Sequence, residues 1–173
     1  LSSQFVENKL IWITGKSGCG KSTLFSMIAG IRPIKKGEII LALNNSKVGD
    51  KYSKNIYDYV AYMPQKPIFH TISVRDYIRD GDFEINEQTI LRIIRILKLS
   101  KTFDISPMKL LDLIIGPGGF TPSGGQSKLL AFARTLCKRN VELYLLDEPT
   151  ADLNQELREI VLQVIYKVSK NKF

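Results

Sequence analysis

The spacing of apolar side chains divides the chain into helical and extended blocks. Ile90, Ile93, Ile94 and Leu97 recur at i, i+3, i+4 and i+7 and predict a helix over residues 87–99. A cleaner stripe of Leu157, Ile160, Val161, Val164, Ile165 and Val168 predicts another over 155–169. Leu129, Leu130, Ala133, Leu136 and Cys137 share one face of a third, over 126–138. A shorter helix over 24–29 ends at Gly30, and Ser73-Val74-Arg75-Asp76 resembles an N-terminal capping box with Asp76 in the usual Glu position. Two apolar runs too short for helices, Leu10-Ile11-Trp12-Ile13 and Leu143-Tyr144-Leu145-Leu146, read as buried strands. The second suits a parallel strand and is stopped by Pro149. Further strands are expected at 38–43 and 57–63 and an edge strand at 4–6, with a turn at Asn44-Asn45 and a polar loop over 46–55. Residues 101–122 read as an irregular connector whose clearest loop is Gly116-Pro117-Gly118-Gly119.

Composition narrows this picture only a little. A length of 173 residues suits one domain with room for an inserted lobe, and 44% apolar with 24% charged residues is ordinary for a globular protein. No apolar run approaches the roughly 20 residues that cross a bilayer, and the first residues lack a secretory layout. Cys19 and Cys137 are too few and too distant for a disulfide framework or a metal site, and a reduced Cys19 implies a cytosolic setting. The net charge of +8 is spread along the chain without a run of like charges. Arg92, Arg95 and Lys98 read as a solvated helix face, and no nucleic-acid partner is expected.

Candidate chemistry changes the picture far more. Gly15, Lys16, Ser17, Gly18, Cys19, Gly20, Lys21, Ser22 and Thr23 fit the phosphate-binding pattern G-x-x-x-x-G-K-[ST], set between an apolar run and a helix. Glycines let successive N–H groups curl inward at phosphate oxygens. Lys21 supplies a point charge for the outer phosphates, Ser22 a hydroxyl for Mg²⁺, and the helix start a favourable dipole. Asp147, closing an apolar strand, is placed to reach that Mg²⁺, with Glu148 beside it to polarise an attacking water. Ser123-Gly124-Gly125-Gln126 leads two glycines into a helix and forms a second phosphate-ready helix start.

These motifs together resemble the ABC ATPases (ATP-binding cassettes). Residues 15–23 resemble their phosphate loop, Gln65 in Tyr62-Met63-Pro64-Gln65 their Q-loop, and residues 123–126 their signature motif. Residues 143–148 resemble their Walker B strand with its catalytic Glu, and residues 151–154 their D-loop, all in family order. The resemblance implies an α/β fold: a P-loop NTPase (RecA-like) core with an antiparallel β subdomain and an inserted α-helical subdomain. Residues 1–65 and 127–173 would form the core with its β subdomain, and 66–126 the helical subdomain. It further implies that Lys21 and the loop amides hold the β- and γ-phosphates of ATP. Ser22, Gln65 and Asp147 would arrange Mg²⁺ and its waters, and Glu148 would act as general base. Ser123, Gly124, Gly125 and Gln126 would act in trans, on ATP held by a second nucleotide-binding domain in a head-to-tail homo- or heterodimer. The implied setting is the cytoplasmic face of a membrane, driving a transmembrane domain, fused or separate. Residues 71–78 and 113–119 resemble the exporter branch in particular.

Some positions depart from the family pattern. Pro122 stands where the signature has Leu, Asn154 replaces a D-loop Asp, and Pro117 replaces the acidic residue that touches the membrane domain. His70 reads as a surface or partly packed residue rather than the family's switch His, which follows a further strand beyond Phe173. That strand would lie between the phosphate-loop strand and the Walker B strand. The expectation is a C-terminally incomplete domain that binds ATP weakly and turns it over slowly or not at all. A degenerate cassette with a regulatory or structural role is the alternative function. A soluble DNA-repair or chromosome ATPase of this family is disfavoured, because the interval from Lys21 to Ser123 leaves no room for its long coiled-coil insertion.

Overall fold

The computed structural model describes residues 10–43, 46–48 and 56–170. Residues 10–20 run without helix or strand until Gly20, in the left-handed region at φ 98°, turns the chain into α1 (Lys21–Ile28). β1 (Leu41–Leu43) and β2 (Ser46–Val48) pair antiparallel, with Leu43 opposite Ser46. One helical turn, α2 (Ile56–Tyr59), leads directly into β3 (Val60–Met63). β4 (Ile72–Ser73) passes straight into α3 (Val74–Arg79) because Ser73 caps that helix, its hydroxyl accepting from the Asp76 N–H at 3.0 Å. Asn86 caps α4 (Glu87–Ile96) in the same way, accepting from Thr89 N–H at 2.8 Å. Lys98, at φ 52°, then redirects the chain into α5 (Leu99–Phe103). α6 (Pro107–Asp112) opens on a proline, whose missing N–H costs nothing at a helix start. β5 (Ile114–Ile115) returns antiparallel to β4, and α7 (Gly124–Cys137), β6 (Leu143–Leu146) and α8 (Gln155–Val168) complete the order.

One pairing positions the site. β3 and β6 run parallel, with Val60 opposite Leu143 and Met63 opposite Leu146, so both strands end side by side. The residues that follow them, Gln65 on one and Asp147 and Glu148 on the other, emerge at one carboxyl edge, where open α/β sheets place ligands. Phe25, Ile28 and Ala29 of α1 pack on Val60, Tyr62, Leu143 and Leu145 of this pair, which sets the phosphate-loop helix against the same strands. The larger core surrounds α7, which contacts α3, α4, α5 and β3. Ile78, Ile90, Ile94, Leu97, Leu110, Leu129, Leu130 and Val161 are all fully enclosed there. Each such side chain contributes roughly 1.5–3 kcal/mol by leaving water.

Several sequence expectations need correction. Residues 10–13 are not a buried strand: Leu10, Ile11 and Trp12 are 42, 44 and 63% exposed. Among the described residues the run joins none of the three two-stranded sheets. The strand expected over 57–63 begins only at Val60, where β6 begins, and residues 56–59 take a helical turn instead. The strand expected over 38–43 shortens to 41–43. Its partner Ser46–Val48 falls in the supposed polar loop, because backbone pairing does not require apolar side chains. The connector expected over 101–122 holds the end of α5, all of α6 and β5, with Leu110, Leu111 and Ile115 in the core. The helix expected over 87–99 divides at Leu97 and Lys98, and the one expected from 126 starts at Gly124. The strand at 4–6 and the Asn44-Asn45 turn lie outside the described residues.

Candidate functional site

The loop over residues 15–20 is closed by its own backbone, Cys19 N–H donating to Lys16 O at 3.2 Å. Gly18 and Gly20 hold φ values of 76° and 98°, which suit glycine. A Cβ at Gly15 would lie 2.7 Å from Cys19 Sγ, so the exposed Cys19 side chain would have to swing aside. Lys21, the first residue of α1, folds back over the curl, its Nζ donating to Gly15 O at 2.9 Å and Lys16 O at 3.1 Å. Its ammonium is thereby held on the carbonyls of the loop's first two residues. Ser22 and Thr23 follow on the exposed first turn of the helix.

At the ends of β3 and β6 the geometry is tighter. Asp147 N–H donates to Met63 O at 3.0 Å as the last rung of the ladder. Its side chain is 4% exposed, and Oδ2 is buried with no hydrogen-bond partner. A buried carboxylate oxygen without a donor is costly unless a cation or water completes it, so this atom fits a Mg²⁺ shell. Glu148, at φ 49°, turns outward, and its Oε2 accepts from Gln65 Nε2 at 2.7 Å. Behind them the Lys128 ammonium, 3% exposed, donates to the carbonyl oxygens of Gln65 and of Glu148. Burial pushes its pKa down while Asp152, Glu148 and Asp147 push it back up. On the face of the pair that α1 packs against, burial followed by the nearby Asp147 charge raises the Tyr62 pKa.

Residues 123–126 form a complete capping box. Gln126 N–H donates to Ser123 Oγ at 3.3 Å, and Ser123 N–H donates to Gln126 Oε1 at 2.9 Å. Gln126 Nε2 also reaches Thr102 O at 3.1 Å, anchoring the turn to α5. The two glycines face Asp152, where a Cβ on Gly125 would stand 3.2 Å from the Asp152 carbonyl oxygen. Asn154 caps α8, accepting from Leu157 N–H at 2.9 Å.

Comparison with known proteins then decides the family. A family model described as "ABC transporter" matches residues 1–151. The chain belongs to the ABC transporter family. An "Uncharacterized ABC transporter ATP-binding protein" of Haemophilus influenzae is 30% identical over 99% of this chain and 30% of its own length. "Multidrug resistance protein 1" of Entamoeba histolytica is 33% identical over 99% of this chain and 13% of its own. The chain thus spans less than a third of these relatives. A solved bacterial Atm1-family ABC exporter with ATP bound superposes with a TM-score of 0.75 at 20% identity, covering 90% of this chain and 27% of that one. This is the P-loop NTPase fold of ABC ATPase domains, with mixed helices and strands. Domains of this family bind ATP, generally with Mg²⁺, and hydrolyse it in transport. No helix among the described residues is long and apolar enough to cross a membrane.

Of the ABC motif residues expected from sequence, the structure brings Gln65, Asp147 and Glu148 to one edge and seats the D-loop against residues 124–125. Among the described residues no hydrogen bond or ion pair joins residues 123–126 to residues 15–23. His70 is exposed, and both cysteines are free. Sequence reasoning missed Lys128. The available signal was a charged residue directly before Leu129-Leu130 in a helix apolar on nearly every side, where a lysine needs buried partners.

Proposed function

We propose that this chain is the nucleotide-binding domain of an ABC transporter, which binds MgATP and hydrolyses it, as one half of a head-to-tail dimer, to drive export across a membrane from its cytoplasmic face. The observation that carries the reading is the Gln65–Glu148 hydrogen bond of 2.7 Å beside the partnerless buried Oδ2 of Asp147. Lys21 exchanges its bonds to Gly15 O and Lys16 O for the β- and γ-phosphates, which the amides of residues 15–23 cradle. Ser22, Asp147 and Gln65 would hold Mg²⁺, which would supply charge neutralisation at the phosphates. Glu148 takes the proton of the attacking water, oriented by the Gln65 amide. Ser123 and Gly125, with Gly124 and Gln126 shaping their turn, act on ATP held by a second domain of the same kind.

The proposed subdomains keep the expected bounds, 1–65 with 127–173 as core and 66–126 as helical lobe, and one apolar cluster runs through both, from Ile78, Ile90 and Leu110 to Leu129 and Val161. Support for the exporter branch is the meeting of its two resembling stretches: β4 pairs with β5, and Thr71 Oγ1 donates to Pro117 O. A transmembrane domain, fused or separate, is the coupled partner. A reading with little turnover is favoured by one feature, the run over 10–13 leading into the phosphate loop, which joins no strand among the described residues and exposes Leu10, Ile11 and Trp12. Phosphate release by the intact protein in membrane vesicles, with and without Glu148→Gln, tests both. Turnover abolished by that substitution, with nucleotide binding kept, supports hydrolysis; binding without turnover in the unsubstituted protein supports the regulatory cassette. Uptake of cargo into inside-out vesicles marks export, and its loss from them marks import.

A further inference from the structure

We propose that Lys128 is a positioning residue, whose ammonium group ties the backbone of Gln65 to that of Glu148 and so sets the side-chain pair on which hydrolysis depends. The inference rests on the hydrolytic reading above. The last rung of the β3–β6 ladder is Asp147 N–H to Met63 O. Beyond it the two chains diverge, because Glu148 adopts a left-handed conformation at φ 49°. Among the described residues, only two links cross between them past that rung. One is the Gln65–Glu148 side-chain bond itself, and the other is Lys128, bonded to both carbonyl oxygens. The lysine is enclosed along its length, the residue being 3% exposed. A charged donor shared by two carbonyls makes stronger bonds than a neutral one. An aliphatic side chain at 128 would fill the space and leave both carbonyls without their donor. The positive charge also faces Asp147, Glu148 and Asp152, offsetting the repulsion of three neighbouring carboxylates. Among the described residues the Lys128 ammonium makes no hydrogen bond to residues 15–23 or 123–126, so its effect falls on the arrangement of Glu148 rather than on grip of the nucleotide.

The test compares Lys128→Met, which keeps the length and loses the donor, with Lys128→Arg, which keeps donors and charge. Two readouts are taken on the intact protein: phosphate release against MgATP concentration, and amide hydrogen exchange without nucleotide. Lys128→Met is expected to lower kcat about tenfold or more with KM within about twofold, a bound set by the loss of even one of its two charge-assisted hydrogen bonds. Amides of Gln65, Lys66, Glu148, Thr150 and Ala151 exchange faster while those of α4 and α8 do not, and Lys128→Arg recovers part of both effects. Should Lys128→Met fail to fold, Lys128→Gln, with a donor on a shorter stem, is read by the same measurements. If the unsubstituted protein shows no turnover while the two segments still loosen selectively, the hydrolytic reading falls and the positioning role stands. Unchanged exchange at both segments, a uniform rise across the fold, or a raised KM at constant kcat overturns it.

Discussion

Ser123 carries two duties that a pair of substitutions can separate. Its hydroxyl closes the N-terminus of α7, the helix around which the larger core is built, and the same hydroxyl is proposed to meet a phosphate across a dimer. Ser123→Ala removes the acceptor for Gln126 N–H but leaves the reverse bond, Ser123 N–H to Gln126 Oε1, intact. Half of the capping box is lost, so the cost is about 1 kcal/mol. For a chain of this size that lowers the melting temperature by roughly 2–4 °C. Ser123→Asn restores a cap acceptor of comparable strength but places a longer amide where the hydroxyl faced outward. Urea denaturation and phosphate release are the two assays. Ser123→Ala should lose both stability and turnover, whereas Ser123→Asn should regain the midpoint and stay inactive. Turnover that returns with the cap would refute the trans role. An unchanged midpoint in Ser123→Ala would refute the capping argument.

Other substitutions probe the remaining geometry. Asp147→Asn replaces a partnerless buried carboxylate oxygen, so the nucleotide-free protein should melt no lower, while the extra stabilisation that ATP gains from Mg²⁺ disappears, as read by thermal shift. Burial pushes the Cys137 thiol up to about 12, while Cys19 is exposed, so a thiol reagent at pH 8 should label Cys19 alone in the native protein, and ATP should slow that labelling. Because the folded value of Cys137 lies above the ordinary one, its contribution is complete below about pH 8.5 and is lost as pH rises towards 12. Cys137→Ala should accordingly flatten the alkaline fall in stability, measured by urea midpoints across that window. Gly116, at φ 99°, backs onto His70, where a Cβ would lie 2.4 Å from the carbonyl oxygen. Gly116→Ala should cost several times more stability than Gly118→Ala, whose Cβ meets nothing within 4 Å at a similar φ of 81°; equal losses in urea denaturation would contradict the steric account.

What could be read from sequence follows from the range of the forces involved. Helix stripes such as that of α8 depend on neighbours three and four residues away, and the structure places Val161, Val164 and Ile165 inward as their spacing predicts. The phosphate loop and the capping box at Ser123 are likewise local, their glycines and caps written within a few positions. Strands are different, because a strand exists only where another backbone answers it. The run over 10–13 has a strand's composition, yet among the described residues it joins no sheet and stays exposed, whereas polar Ser46–Val48 pairs because β1 lies beside it. The same distinction governs the site. Asp147, Glu148 and Gln65 could each be named from local motifs, but the contact of Gln65 with Glu148 depends on the β3–β6 register, which fixes where both strands end. Lys128 was hidden for the same reason. Its partners are two backbone carbonyls distant in sequence, and a carbonyl carries no signature in the amino-acid code. The chemistry of this edge was therefore legible residue by residue, while the group that holds the residues to one another emerged only when the chain was folded.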